Sequence, residues 1–261
     1  MRNTMLIDTT KCIACRACQT ACKNWNNLPA NETAFVGQLE NPPDLSPVTW
    51  TRVTMREHRV ETGPVKWLFA KVQCMHCSES ACAMVCPTGA IHHTSEGTVL
   101  IDEAKCIGCN YCVGACPFNV PRFDQIKGTV RKCTFCYDRT TNGYAPMCAK
   151  TCPTGAITYG DRAQIVGAAF ARAAQLRARG VSSARTYGTD IVGGTGVLYI
   201  LRDDPVKYGL PDKPVIPLFA SVWRVLFRPI RALAVVALAL GLLSNRNRSK
   251  ELTPEREEGR V

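Results

Sequence analysis

Residues 106–117 read CIGCNYCVGACP and place four cysteines directly before Pro117: Cys106, Cys109, Cys112 and Cys116. Their spacing is C-x2-C-x2-C-x3-C-P. Three cysteines placed three residues apart can turn inward on one tight loop, so their thiolates can reach a common group. The fourth cysteine cannot fold back onto that group, and the proline ends the turn that carries it. We therefore predict that the fourth cysteine serves a neighbouring site.

The same arrangement occurs three more times along the chain. The other quartets are Cys12, Cys15, Cys18 and Cys22; Cys74, Cys77, Cys82 and Cys86; and Cys133, Cys136, Cys148 and Cys152. The last two end on Pro87 and Pro153. The four quartets use all sixteen cysteines of the chain.

Iron–sulfur chemistry explains this pattern better than disulfides or zinc. Cysteines three residues apart in a tight turn are badly placed to form eight disulfides with distant partners. A C-x2-C pair suits zinc, but a triplet followed by Cys-Pro suits a cubane cluster. We predict four [4Fe–4S] clusters, with all sixteen cysteines as iron ligands.

Internal repeats reveal the folding unit. Residues 6–15 (LIDTTKCIAC) match residues 100–109 (LIDEAKCIGC), and CPTGAI stands at both 86–91 and 152–157. Each unit is a short strand, a cysteine loop, a brief helix, Cys-Pro and a second strand, which is half of a two-cluster ferredoxin. Four units make two modules. The spacing alone allows the units to pair sequentially or in a nested order.

Between the first two quartets, prolines mark a loop and a hairpin follows. Residues 48–59 and 65–72 alternate in strand fashion around a turn at 61–64. We expect Trp50, Trp67 and Phe69 to pack against the cluster core.

After the last quartet, we predict a helix over 161–179, with Asp161 as its N-cap and Gly180 as its stop. Ile165, Ala169, Ala173 and Leu176 should form its buried face. The glycine-rich residues 193–196 are interpreted as a turn into a strand over 197–201, because such a tetrapeptide is a weak phosphate-loop signal.

Residues 218–243 are predicted to form one membrane helix. The cleanest apolar run, 232–243, is shorter than the ~20 residues a bilayer needs, but counting back to Leu218 provides the length. Arg224, Arg228 and Arg231 would then lie at one interface, where their side chains can reach water. The alternatives are an amphipathic anchor or a helix buried against a partner. The charged residues 244–261 are predicted to be disordered.

The formal charge of +11 does not require a nucleic-acid partner. Four clusters, each carrying about −2 with its thiolates, would bring the total to about +3. Lysines and arginines near the cysteines, such as Lys132, would favour the reduced clusters. No catalytic constellation is present, and the first ten residues carry no apolar signal segment. We predict a one-electron carrier that stays in the cytoplasm or is exported folded with a partner.

Motifs inside and outside the quartets resemble the β subunit of membrane-bound respiratory formate dehydrogenase. They include NPPDLSPVTW (41–50), KCIGC (105–109), CPFNVPR (116–122), KCTFCYDR (132–139) and VGGTGVLYIL (192–201). The resemblance also covers YGLP at 208–211 and a Trp-Arg…Arg-Pro run at 223–229.

The resemblance implies nested ligation. The implied ligand sets are Cys12, Cys15, Cys18 with Cys152; Cys133, Cys136, Cys148 with Cys22; Cys74, Cys77, Cys82 with Cys116; and Cys106, Cys109, Cys112 with Cys86.

The expected fold is α+β, with two nested bacterial-type two-cluster ferredoxin modules, a hairpin insertion and a C-terminal transmembrane helix. Its parts are an outer module (1–24 and 126–160), a loop and hairpin insertion (25–65), an inner module (66–125), a helix and strand extension (161–217), the membrane helix (218–243) and the tail (244–261).

The resemblance also implies partners and a location. The partners would be a molybdenum- or tungsten-bis-pterin catalytic subunit, a membrane cytochrome b and the lipid bilayer, with electrons passing on to quinone. The location would be the bacterial cytoplasmic membrane, crossed once, with the clusters on the periplasmic side. The alternatives are the same relay in a nickel hydrogenase or another molybdopterin oxidoreductase, and a zinc-stabilised, membrane-attached binding module.

Overall fold

The computed structural model describes residues 2–35, 37–59, 65–227, 236–237 and 240–242. The strands are β1 (Asn3–Asp8), β2 (Arg52–His58), β3 (Lys66–Val72), β4 (Ile91–His93), β5 (Val99–Ile101), β6 (Arg122–Asp124), β7 (Thr129–Arg131), β8 (Ile157–Asp161), β9 (Arg185–Tyr187) and β10 (Val197–Leu201). The helices are α1 (Ala17–Trp25), α2 (Ala81–Met84), α3 (Tyr111–Ala115), α4 (Tyr137–Thr140), α5 (Met147–Lys150), α6 (Arg162–Ala178) and α7 (Leu218–Val222). The chain divides into two units, 1–217 and 218–261.

A four-stranded sheet in the order β8-β1-β10-β9 organises the first unit. β1 is parallel to β10, with Met5 opposite Val197, and antiparallel to β8, with Ile7 opposite Ile157. All five residues of β10 are buried, as expected for a central strand written as one continuous apolar run.

The sheet makes the first and fourth cysteine units neighbours. β1 leads into the Cys12 loop, whereas β8 follows Cys152, and these two strands pair. The same relation occurs locally in the hairpin β4–β5, where Ile91 lies opposite Ile101. In both places, the strand that begins at the end of CPTGAI pairs with the strand that precedes KCIxC. These strands are β4 and β5 of one hairpin in the first case, and β8 and β1, which lie far apart in the chain, in the second.

Helix α6 covers one face of this sheet. Asp161 caps it by accepting hydrogen bonds from the N–H groups of Ala163 and Gln164 at 2.9 and 3.2 Å. Ala169 and Leu176 pack on strand residues such as Leu198. The predicted helix, its cap and its buried face are confirmed, except that Ile165 is only partly buried.

The hairpin β2–β3 contributes to the main core, where Val53 and Leu68 cluster with Tyr199 of β10. Trp50 is buried beside three cysteines, as expected: Cys22, Cys74 and Cys133. The prediction for Trp67 was wrong, because this side chain is 43% exposed. β3 starts at the surface and ends in the core, so one face of the strand carries an exposed Trp67 and a buried Lys71.

The glycine-rich turn at 193–196 docks on the second cysteine loop. The N–H of Gly196 donates to the Met75 carbonyl at 2.9 Å, and the N–H of Ser78 donates to the Gly194 carbonyl at 2.9 Å. The turn leads directly into β10, which confirms its interpretation as a turn.

In the second unit, α7 is followed by a π-helical turn at Trp223–Phe227, and residues 236–237 and 240–242 are helical. Across the described part of the chain, no helix combines the length and apolar character that a bilayer crossing requires. Most of the predicted span 218–243 after Phe227, and the whole tail 244–261, lie outside the described residues. The predicted membrane helix is therefore not confirmed.

Candidate iron–sulfur cluster sites

The structure gathers the sixteen thiols into four groups. One cavity is lined by Cys12, Cys15, Cys18 and Cys152, together with Lys71 and Pro153; we name it the first site. Burial raises the pKa of the Cys12 thiol, and the neighbouring thiols of Cys152 and Cys15 add to the rise. Cys152 stands about 140 residues away in the chain, so the pairing of β1 with β8 brings it here.

The second site is a cavity lined by Cys22, Cys133, Cys136 and Cys148. Burial raises the pKa of the Cys22 thiol to about 12 against the opposing charge of Lys71, and Cys148 and Cys136 contribute to the rise. Cys22 belongs to the first quartet but does not line the first site. Helix α1 places it on the side of α5, which holds Cys148.

Two further groups involve residues 74–116. In the third site, burial raises the pKa of the Cys77 thiol, and the neighbouring thiols of Cys74, Cys82 and Cys116 raise it further. In the fourth site, the pKa of the Cys112 thiol is raised to about 12, mainly by burial and further by the neighbouring thiols of Cys109, Cys86 and Cys106. Each of the four sites therefore holds three cysteines of one quartet and one cysteine of another.

A left-handed residue shapes each cysteine loop. The residue two positions after the first cysteine has a positive φ in all four loops: Ala14 (57°), His76 (49°), Gly108 (67°) and Phe135 (61°). In two of the loops a peptide N–H points at the first thiol: the Phe135 N–H donates to Cys133 Sγ at 3.3 Å, and the Ala14 N–H interacts with the Cys12 thiol. Successive inward N–H groups form a concave surface that suits an anionic group. Sequence reasoning missed this feature because three of the four residues are not glycine.

The two CPTGAI repeats hold their cysteines in the same way. The distance from Sγ to the threonine Oγ1 is 3.7 Å both for Cys86 with Thr88 and for Cys152 with Thr154. Burial raises the pKa of Cys152, but the Thr154 hydroxyl and the nearby peptide N–H groups outweigh it, so the pKa is lowered overall. A stabilised thiolate suits a metal ligand.

The alternatives of disulfides and a single ion fit less well. All sixteen cysteines are free thiols. Among the described residues, no three His, Cys, Asp or Glu side chains lie close enough together to hold one metal ion. The donor chemistry, four thiols around each site, fits a cubane cluster.

His76 lies in the second cysteine loop and is fully buried. Its Nδ1 accepts a hydrogen bond from the Val99 N–H at 3.2 Å, and its ring lies 4.7 Å from that of Phe135. Burial, with Lys132 and Lys71 nearby, lowers its pKa well below the usual value.

Two lysines are buried among the sites. Lys132, named from sequence, donates from Nζ to the carbonyls of Val99 and Cys133. Lys71, which sequence reasoning missed, is 1% exposed. Its only sequence signal is a charged residue at the end of an apolar strand.

Comparison with known proteins supports an iron–sulfur assignment. Two family models match, each described as a 4Fe-4S dicluster domain, over residues 11–90 and 65–162.

Full-length comparison finds formate dehydrogenase subunits. The chain is 42% identical over 242 residues to the nitrate-inducible formate dehydrogenase iron–sulfur subunit of Escherichia coli, covering 91% of this chain and 82% of that protein. It is 43% identical over 241 residues to the formate dehydrogenase iron–sulfur subunit of Haemophilus influenzae, covering 90% and 77%. It is 37% identical over 216 residues to formate dehydrogenase 2 subunit beta (cytochrome c-553) of Nitratidesulfovibrio vulgaris, covering 80% and 97%.

Proposed function

The chain belongs to the iron–sulfur subunits of formate dehydrogenases, and from this premise we propose that it relays electrons through four [4Fe–4S] clusters, one at each of the four sites. As an electron-transfer subunit of an oxidoreductase complex it is not catalytic itself. The observation that carries the four-cluster proposal is the gathering of sixteen free thiols into four groups of four.

The proposed ligand sets are the nested ones: Cys12, Cys15, Cys18 with Cys152; Cys22 with Cys133, Cys136, Cys148; Cys74, Cys77, Cys82 with Cys116; and Cys86 with Cys106, Cys109, Cys112. When bound, the clusters supply reversible one-electron chemistry. The protein provides the thiolates, the N–H groups that stabilise negative charge, and the burial that excludes water.

Two of the sites reach the surface, which a relay requires. Cys15 of the first site and Cys109 of the fourth site are exposed, whereas the cysteines of the second site are all buried. Beside the exposed cysteines, Ile13 and Ile107 are 60% and 66% exposed at equivalent repeat positions. We propose that electrons enter and leave the chain at these two ends.

The partners follow from membership in a formate dehydrogenase complex. A catalytic subunit is implied directly. We propose that it carries a molybdenum or tungsten bis-pterin, and that a membrane cytochrome b receives the electrons and passes them to quinone. Residues 218–243 are proposed to anchor the chain to the bacterial cytoplasmic membrane, with the cluster-bearing part on the periplasmic side.

The test is a metal and subunit inventory of the complex, purified without oxygen from solubilised membranes through a tag on this chain. We expect about sixteen irons per copy of this chain beyond those of its partners, molybdenum or tungsten, and reduction of the clusters by added formate. Nickel in place of molybdenum or tungsten, without reduction by formate, would contradict the formate dehydrogenase assignment. Zinc without excess iron would contradict the relay itself.

A further inference from the structure

The buried lysine Lys71 has a charge that no hydrogen bond compensates. It lies on β3 opposite Val53, and its side chain is 1% exposed. Its Nζ has no hydrogen-bond partner among the described residues. Burying an unpaired ammonium costs several kcal/mol, so a lysine at this position indicates a counter-charge that the described protein atoms do not supply through a hydrogen bond.

The groups that surround Lys71 are thiols of two different sites. Lys71 lines the cavity of the first site together with Cys12, Cys15, Cys18 and Cys152. The thiols that interact most strongly with its charge are Cys148, Cys18, Cys133 and Cys22. Cys18 belongs to the first site and the other three belong to the second, so the ammonium lines the first site and its charge acts on thiols of both sites.

The hairpin inserted after the first quartet provides this position. β3 pairs with β2 along its whole length, and its inner end lies in the core. The Lys71 carbonyl accepts a hydrogen bond from the Tyr199 hydroxyl at 2.7 Å, which ties this end of β3 to the central strand β10. The hairpin therefore fixes the backbone of Lys71 beside the first site.

We propose, resting on the relay function above, that Lys71 is a shared counter-charge that raises the reduction potentials of the clusters at the first and second sites. Reduction adds one electron, and hence one negative charge, to a cluster that is already anionic. A buried cation nearby stabilises that added charge strongly, because the surroundings screen it little.

Lys132 provides a natural comparison for the third site. It is 4% exposed, and its charge acts on the thiols of Cys82 and Cys116. Unlike Lys71, its ammonium donates to two backbone carbonyls. The two lysines should therefore affect different clusters.

The test is a redox titration of the intact complex, followed by electron paramagnetic resonance, in the Lys71→Met variant. We expect two of the four midpoint potentials to fall by at least 59 mV, which corresponds to a tenfold change in the equilibrium constant of a one-electron reduction. Lys132→Met should lower a different potential. Lys66→Met, which removes an exposed lysine from the same strand, should shift none.

Full iron content with unchanged potentials in Lys71→Met would overturn the proposal, as would a shift in clusters that Lys132→Met also shifts. If Lys71→Met loads less iron, Lys71→Arg and Lys71→Gln are compared. Iron retained in the arginine variant alone supports a role for the charge, whereas iron lost from both shows a packing role and overturns it. Absence of iron from the wild-type complex would instead refute the relay function.

Discussion

At the scale of single residues, backbone conformation decides how a cysteine loop closes. Three of the four left-handed loop residues carry a side chain, at a strain cost that persists only where the surroundings fix the backbone. Gly108 is different, because a Cβ there would lie 2.5 Å from the Gly128 carbonyl oxygen and 2.8 Å from Phe123 Cε2. The glycine in KCIGC is therefore required by close packing, since the equivalent positions of the other three loops carry side chains at a similar positive φ.

We predict that Gly108→Ala destabilises the chain by about 1–3 kcal/mol, through overpacking against the backbone of Gly128. The fourth site should lose iron first, since Gly108 stands between Cys106 and Cys109. The measurement is iron retained per chain during anaerobic denaturant titration. Gly114→Ala in α3 is the matched control, because open space surrounds that position. Equal behaviour of the two variants would contradict the packing argument.

At the scale of elements, the four-stranded sheet joins distant parts of the chain and buries tyrosines in doing so. Tyr187 on β9 packs edge-on against Tyr199 on β10, with ring centroids 6.1 Å apart. The Tyr187 hydroxyl donates to the Pro211 carbonyl at 2.7 Å. Burial raises the pKa of Tyr187 above its usual value.

This raised pKa predicts a loss of stability in alkali. The unfolded chain ionises Tyr187 near the ordinary pKa of about 10, while the folded chain still holds the proton. The contribution of Tyr187 to the free energy of unfolding is therefore fully present below about pH 10. It falls as the pH rises, by up to about 1.4 kcal/mol per pH unit. Anaerobic denaturation of the iron-loaded protein between pH 8 and 11 measures the slope. Tyr187→Phe should show a shallower alkaline slope, and an unchanged slope would contradict the assignment.

At the scale of the whole molecule, the strand pairing brings the first and fourth cysteine units together. The pairing of β1 with β8 closes the outer module around residues that lie more than a hundred positions apart. The inner units lie between them in sequence, and their own pairing, β4 with β5, is local.

Iron counts in paired serine variants test the nested ligand sets. Cys22→Ser and Cys133→Ser should each cost one cluster, about four irons, and the double variant should lose no more, since both cysteines are proposed to hold the second site. Cys22→Ser combined with Cys12→Ser should lose about twice as much. Additive loss in Cys22→Ser with Cys133→Ser would favour the sequential pairing.

Local spacing in the sequence predicts the features that neighbouring residues control. These features are the cysteine intervals, the Cys-Pro repeats, the capped helix after Asp161 and the hairpin before Cys74. Each depends on residues close together in the chain, and few backbone conformations satisfy such short spacings. The family was also evident from motifs inside and outside the quartets.

Features that depend on contacts between distant residues are visible only in the folded chain. The spacing left the pairing of the units open, and the strand order now makes the first and fourth units neighbours. Alternation in β3 put Trp67 and Lys71 on one face, but it could not show that one end of that face meets solvent while the other lies among thiols. Burial depends on what the rest of the chain packs against an element, and local sequence does not contain that information.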